Sequence, residues 1–571
     1  MMKNRFTEVR GISTFIALMV MLMMTIIGLA ALKMAEDEIS IAGNELNEMS
    51  AFYASESGLE RAAASIQSQY NATGAPPTQL PAGNESINEN VTATYTTTDM
   101  GAAVVRTLNY GSLAGLKAQV KTYKIESIGT SLVDGGQIRL TQNFECASVP
   151  IFQWAVFFMK DLWSQPMYNT SIDGRVHVNG DMRLRTSGSS VLLSFLNNVT
   201  CSGNIYHGFS FGDNDLGDVQ FVNSSGVGVS MKQDGSWVDA DDPDWYNEAT
   251  TLWDGRVRDH AFGQDALNLP LSNQNDPYKM IERANGGDNQ DSYENKATFK
   301  IIDGVPYSLV GSVWQDVSSF LPAGTITGDA SVMFYDSHEQ KWARNTQIDM
   351  DKLKTSGYFP SNGVIYVSDQ RSTTMGTYGT VVNTAMLTNG SDIGNPLTIA
   401  SENPLYVQGD FNSTNKQPVA ALADAMTFLS NDWDITKAAP GVSYTQRTVS
   451  QPMTANISFI TGDLAPQGTN YGGGLENLPR FLEDWQAERF TLRGSMIEGW
   501  RSKQATGTWQ GLADPNPYYR PPTRDWGFDP DLNDPSKLPP ETPCVRVFQR
   551  TYWSQLDVGH DNSQQPADDS I

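Results

Sequence analysis

From Ile12 to Leu32 the chain carries no charged residue and no Pro, Asn or Gln. At about 1.5 Å per residue this run makes roughly 31 Å of helix, the thickness of a bilayer's hydrocarbon core. Lys3, Arg5 and Arg10 precede it, and Glu36, Asp37 and Glu38 come shortly after its end. The positive-inside bias therefore assigns residues 1–11 to the cytoplasm and exports the chain beyond the helix. A secretory signal would have a shorter apolar core ending on a small-residue cleavage site. Here Leu29-Ala30-Ala31-Leu32-Lys33-Met34-Ala35 continues in helix-forming residues.

Good helix formers persist to Gln69, interrupted by Gly43 and Gly58. Ile39, Ala42, Leu46, Met49, Tyr53, Ala63 and Ile66 fall near helical spacing, with Asn44, Glu45, Asn47, Glu48 and Glu60 mostly elsewhere. The pattern predicts one helix over 12–69, its first half in the membrane and its second half amphipathic. Ile39, Ala42, Leu46, Met49 and Tyr53 are the candidate helix-packing residues. A plain single-pass anchor with a helical stalk satisfies the same periodicity.

Arg10-Gly11, Gly28-Leu29-Ala30-Ala31, Ile41-Ala42-Gly43-Asn44 and the run Ala51-Phe52-Tyr53-Ala54-Ser55-Glu56-Ser57-Gly58-Leu59-Glu60 occur in that order. Residues 1–65 thereby resemble the N-terminal domain of PilX-type minor pilins. The resemblance implies a leader cut after Gly11 by a prepilin peptidase, with Ile12 as the first mature residue. It also implies that the mature helix packs with other pilin or pseudopilin subunits at a bacterial inner membrane. Major pilins of this kind carry Glu at the fifth mature position, where it registers the subunit in the fibre; here that position is Ile16.

Beyond the helix, Gly74, Pro76, Pro77, Pro81 and Gly83 mark a loop over 70–90. Ile138, Leu140, Phe144 and Cys146 alternate with Arg139, Thr141, Asn143 and Glu145, the period of a half-buried strand. Residues 120–128 can pair with it across the Asp134-Gly135-Gly136 turn. A small antiparallel module over 70–150 is expected. From Ile151 short apolar runs end on Gly-Asp or Gly-Asn: Val176-His177-Val178-Asn179-Gly180-Asp181, Ile326-Thr327-Gly328-Asp329, Leu405-Tyr406-Val407-Gln408-Gly409-Asp410 and Phe459-Ile460-Thr461-Gly462-Asp463, with variants at Cys201 to Ile205 and Leu492 to Met496.

Strand-plus-turn units of this kind predict an irregular right-handed β-helix over 151–545, with a β-sandwich as the alternative. The fold class is then α+β, mainly β. Helical spacing of Val419, Leu422, Ala423, Met426 and Leu429 predicts a helix over Pro418 to Trp433, and a second, short one is expected over Phe481 to Phe490. The Pro- and aromatic-rich stretch 514–543 reads as an ordered strap over the core, and 546–571 as a C-terminal tail with a loose end. The segments 405–433, 459–500 and 518–543 also resemble the uncharacterised body that succeeds PilX-type N-termini in pilus-assembly proteins.

A net charge of −25 and an isoelectric point near 4.5 leave no basic footprint for nucleic acid. Cys146, Cys201 and Cys544 allow at most one internal disulfide. The five histidines are scattered, and no zinc, P-loop or nucleophile-elbow motif occurs. Asp239, Asp241, Asp242 and Asp244, and Asp213, Asp215 and Asp218, supply the oxygen ligands Ca²⁺ favours, yet match no EF-hand; solvated turns are the simpler reading. Trp500, Trp509, Tyr518, Tyr519 and Trp526 serve either as core or as a sugar-stacking surface.

The expected function is therefore that of a minor pilin-like structural or assembly component of a type IV pilus or pseudopilus, not an enzyme, with a bulky exported domain at a fibre tip for adhesion and no required cofactor. The rivals are a membrane-tethered β-helix enzyme with paired carboxylates on adjacent coils, and an extracellular carbohydrate-binding protein.

Overall fold

The computed structural model describes residues 9–73, 75–109, 111–211, 216–271, 276–486, 488–512 and 514–557. The chain forms two compact units, residues 1–104 with 120–146 and 548–571, and residues 105–119 with 147–547.

In the first unit a single helix runs Val9–Thr73. Its C-terminal half buries Ala51, Ala54, Ser55, Leu59, Ala62, Ala63, Ile66 and Tyr70, a stripe of i, i+3 and i+4 steps. Strands Gly83–Asn88, Val91–Asp99, Lys117–Ser131, Gln137–Pro150 and Cys544–Asp557 succeed one another across the sheet, with Val104–Thr107 paired to Lys117–Ser131. Residues 91–99 lie antiparallel to 123–131, from Val91 opposite Ser131 to Asp99 opposite Tyr123. Tyr123, Ile125, Ile138, Leu140 and Phe144 close the core against Leu59, Ala62 and Ile66. Each large side chain so buried contributes about 1.5–3 kcal/mol.

The second unit is built from stacks of short parallel strands. One twelve-stranded sheet runs, in spatial order, through 257–258, 199–201, 176–178, 156–158, 496–501, 458–463, 419–423, 397–401, 364–368 and 299–302, all parallel. It ends in the antiparallel pair 305–310 and 313–316. Along it Val257, Val199, Val176, Val156, Met496, Phe459, Ala421, Ile399, Ile365 and Phe299 lie side by side in register, every one buried.

A second set of parallel strands comprises 162–164, 182–184 and 205–207, and separately 341–349, 379–388, 405–408, 426–429 and 479–480. A third comprises 170–172, 192–195 and 218–222, and separately 453–456, 489–494 and 523–528. From 156 to 258 the chain visits the three sets in rotation. Its first strand in the twelve-stranded sheet, 156–158, pairs with 496–501 from near the other end of the unit.

The Gly-Asp signature has a physical cause at the first corner. Asp161 accepts from the backbone N–H of Asp181 at 2.9 Å, and Asp181 accepts from that of Asn204 at 3.0 Å. Each carboxylate thus satisfies a corner N–H of the next coil. A β-carbon on Gly180 or Gly203 would collide with the coil beneath.

Several expectations are corrected. Residues 418–433 are two strands, Val419–Ala423 and Met426–Leu429, and not a helix. Every residue from Val419 to Ser430 is buried, so both faces are apolar or covered and the spacing cannot separate strand from helix. Asp424 makes the corner between the strands, its carboxylate accepting from Tyr278 Oη at 2.9 Å and from the backbone N–H groups of Lys503 and Ala505 at 2.6 and 2.8 Å. The stretch from Phe481 is also not helical: Asp484 bridges Thr448 and Arg520, and a strand begins at Arg489. Gly462-Asp463 ends a strand and is not a turn. The strap carries strand Thr523–Phe528 and two short 3-10 turns. The first part of the segment read as a tail is the strand Cys544–Asp557; the end beyond 557 lies outside the described residues.

Candidate functional site

The helix offers two different surfaces. Ile12–Ala72 contains a window of mean hydropathy 2.6, long enough to cross a membrane, and none of that window is buried. Farther along, Ala51, Ser55, Gly58, Ala62 and Ile66 turn onto the sheet of the same unit. The contact is made backbone to backbone. Ser55 Oγ donates to Ser127 O at 2.7 Å, a β-carbon on Gly129 would overlap Ala51 O, and one on Gly58 would strike Ser127 Oγ. Small residues at these positions let helix and strand approach this closely.

Ile39, Ala42, Leu46, Met49 and Tyr53 lie elsewhere on the helix surface. All five are exposed, Ile39 at 74% and Tyr53 at 58%. Of the predicted stripe only Ala63 and Ile66 join the buried seam, so the sequence merged two faces into one. The buried seam was legible in Ala51, Ala54, Ser55, Gly58 and Leu59, which recur at three- and four-residue steps. Gly11 and Ile12 lie on the helical backbone, and Ile12 and Ile16 are exposed. Most of the predicted leader, residues 1–8, lies outside the described residues.

A family model described as PilX N-terminal matches residues 10–60, the stretch that carries both surfaces. Over residues 10–60 the helix is thus similar to the N-terminal segment of PilX-type pilins. No curated protein matches the sequence. Among solved structures, the competence-associated pilin ComZ from Thermus thermophilus aligns at 11% identity over 89% of this chain and 97% of that one, with a TM-score of 0.22. A superposition that loose carries no weight for fold or function.

Outside the PilX-type helix, the second unit brings some of the predicted chemistry together and buries most of it. Asp463 and Glu498 come together on neighbouring strands, as paired carboxylates on adjacent coils would. Both are buried, at 2% and 0% exposure, and Arg501 is bonded to Asp463. Burial raises the pKa of both carboxyls. The Asp463 charge raises Glu498 further, and Arg501 offsets part of the shift in each. Glu498 Oε2 accepts from the backbone N–H of Lys160 at 3.0 Å. A glycan has no access to this pair as it stands.

The acidic run spends its oxygens on turns. Asp239 accepts from the N–H groups of His207 and Asp241 at 2.8 and 3.0 Å, and Asp242 from that of Asp244 at 2.8 Å. Asp218 accepts from Ser230 Oγ, while Asp213 and Asp215 lie outside the described residues. Among the described residues no group of three or more His, Cys, Asp or Glu is arranged to hold a metal. None of the three cysteines is in a disulfide. His177 is enclosed between Thr200 Oγ1 and Asn179 Oδ1, and burial holds its pKa down at about 4. His338 stacks on Tyr518.

Of the five aromatics singled out, Trp500, Tyr518, Tyr519 and Trp526 are core. Trp509 differs. Half-buried, it lines a cavity of about 510 Å³ together with Tyr471, Phe211, Gln165, Arg185 and Asp514. A neighbouring cavity of about 560 Å³ includes Tyr168, Asn169, Gln486 and Arg524, and Met167 belongs to both.

Proposed function

We propose that this chain is a minor pilin-like subunit of a type IV pilus or pseudopilus. Residues 12–32 hold it in the inner membrane, and the open face of Ile39, Ala42, Leu46, Met49 and Tyr53 packs on the helices of other pilin subunits. Its strand-rich unit is an irregular right-handed β-helix carried outside the cytoplasm, where it acts at the fibre tip in adhesion. The observation that carries this reading is the two-faced PilX-type helix. One face is docked on its own sheet, while large apolar side chains remain exposed over a stretch that needs either lipid or protein to cover it.

The β-helix reading draws support from the rotation of the chain through three sets of parallel strands and from the right-handed rule for parallel crossovers. A large body is hard to repeat along a shaft, which favours a rare initiating or tip subunit. Mass spectrometry of the mature chain tests the assignment: Ile12 as first residue, together with co-fractionation with sheared fibres, is the expected result. Met1 or a site near Ala35 as the mature N-terminus would sink it.

A further inference from the structure

We propose that the groove beside Trp509 binds a stretch of neutral polysaccharide. The inference rests on the adhesive part of the reading above and names its ligand class. Two cavities of about 510 and 560 Å³ share Met167 in their walls, each in the size range of small-molecule sites. Together they accommodate successive units of a chain rather than a single small ligand.

The aromatic surfaces of the groove are held rigidly. Gly473 and Gly511 have no room for a β-carbon against the Trp509 indole, and Tyr471 meets the same ring edge-on at 4.9 Å. Phe211 is parallel to Trp163 at 5.9 Å. Flat apolar rings fixed before binding suit the C–H faces of pyranose rings, and they lose little side-chain freedom when the ligand arrives.

The polar groups are half used, and the unused half is the one a hydroxyl needs. Gln165 Oε1 accepts from Arg185 Nη2 at 3.0 Å, which fixes the amide and leaves Nε2 as a donor. Asp514 Oδ2 accepts from the Gly511 N–H at 2.6 Å, leaving Oδ1 as an acceptor. Planar amide and carboxylate groups held this way match the donor–acceptor pairs of vicinal hydroxyls.

The preference for neutral glycans comes from the field of the whole chain, which carries −25, and not from the walls, where Asp514 in one cavity is balanced by Arg524 in the other, lying over the Trp526 ring at 5.0 Å. The Arg185 guanidinium is already occupied, donating to Phe211 O at 2.7 Å and lying over the Phe209 ring at 3.9 Å. The groove binds rather than cuts. The nearby Glu476 is buried beneath it, accepting from Ser164 Oγ at 2.7 Å and from the Gln165 N–H at 3.1 Å.

The test is calorimetric titration of the full chain in detergent micelles with maltohexaose, cellohexaose, chitohexaose and mannohexaose, and with hexagalacturonate as the acidic counterpart. At least one neutral hexaose should bind, and more tightly than the acidic one. Trp509→Ala should weaken that binding at least about tenfold, and Gln165→Ala and Asp514→Asn several-fold. The thermal midpoint of Asp514→Asn, which keeps an acceptor for the Gly511 N–H, should be unchanged, so this variant decides the matter if Trp509→Ala misfolds. Absence of binding by all four neutral hexaoses, preference for hexagalacturonate, or binding indifferent to Gln165→Ala and Asp514→Asn overturns the inference. The mature N-terminus and fibre fractionation report on the pilin assignment separately, so a fibre subunit that binds no hexaose overturns only the ligand class.

Discussion

Gly129 lies so close under Ala51 that a β-carbon at 129 would overlap the Ala51 carbonyl oxygen and crowd the Ser55 N–H. Helix and strand therefore meet through their backbones, and the side chains around them interlock at a spacing only glycine permits. The remainder of the seam, from Gly58 to Tyr70, is positioned by this one crossing.

Gly129→Ala should accordingly destabilise the helix–sheet unit by about 2–3 kcal/mol, the cost of overpacking a site whose neighbours are backbone. Chemical denaturation of the full chain in detergent reads this as an earlier transition. Gly28→Ala and Gly43→Ala, with open space around them, should instead raise helix stability slightly.

The C-terminal strand contributes through Phe548, which stacks on Phe144 at 5.9 Å and meets Tyr70 edge-on at 5.9 Å. Arg550 also pairs with Glu60, with both side chains about half exposed. Phe548→Ala should cost about 3 kcal/mol, whereas Arg550→Ala should cost less than about 1 kcal/mol and less still in high salt. Urea unfolding at two ionic strengths separates the two effects.

Leu46→Glu and Met49→Lys change side chains that are exposed in the chain by itself. Both should leave its unfolding within about 0.5 kcal/mol of wild type. Recovery of the chain with sheared fibres should nevertheless fall about tenfold, because a charge would have to be desolvated against a neighbouring helix. Unchanged recovery would remove this face from the assembly.

At the Gly-Asp corner, Asp181→Ala should leave the Asn204 N–H without its acceptor and cost about 1–3 kcal/mol. Asp181→Asn keeps an acceptor oxygen in place and should restore most of the loss. Thermal unfolding of the two variants compares them directly.

Buried Glu483 should make the strand-rich unit lose stability as pH rises from 5 to 8, against buried His177 and His338, whose pKa values are held low and which act in the opposite sense below 6.5. Burial pushes the Glu483 carboxyl up to about 7, although it accepts from Ser430 N and Oγ at 2.6 and 2.7 Å. The folded state therefore holds a proton that the unfolded chain has already released above its ordinary value of 4.5. Stability is full below that value and is lost as pH passes the folded one, up to about 3 kcal/mol for this group. Buried Asp463 and Glu498 shift in the same direction, while carboxyls held low, such as Asp531 at about 2, act below this window. Glu483→Gln should flatten the profile of thermal midpoint against pH.

The helix, the hairpin of 117–131 with 137–150, and the strands before Asn179-Gly180 and Gly409-Asp410 were readable because each expresses one local rule: apolar length, alternation, or a glycine turn. The strands at 419–429 were not, because burial on both faces erases the period that separates strand from helix. The groove escaped notice for a related reason. Trp509, Phe211, Tyr471 and Gln165 are distant in sequence and are brought together only by the tertiary fold. Within the helix, the face of Ile39 to Tyr53 and the seam of Ala51 to Tyr70 overlap in sequence, and only the position of the sheet distinguishes them.

The strand that places Phe548 beside Tyr70 and Phe144 is also synthesised long after the helix it completes. The helix and the first strands of its sheet emerge early, yet their partner arrives only after the whole strand-rich unit, residues 147–547, has been made. Completion of the helix's own platform is thus timed by the far larger unit inserted within it. Any chain cut short within that insertion leaves the ribosome with its helix intact and its sheet unfinished, so that only copies extending through the strand Cys544–Asp557 present the helix on a completed platform.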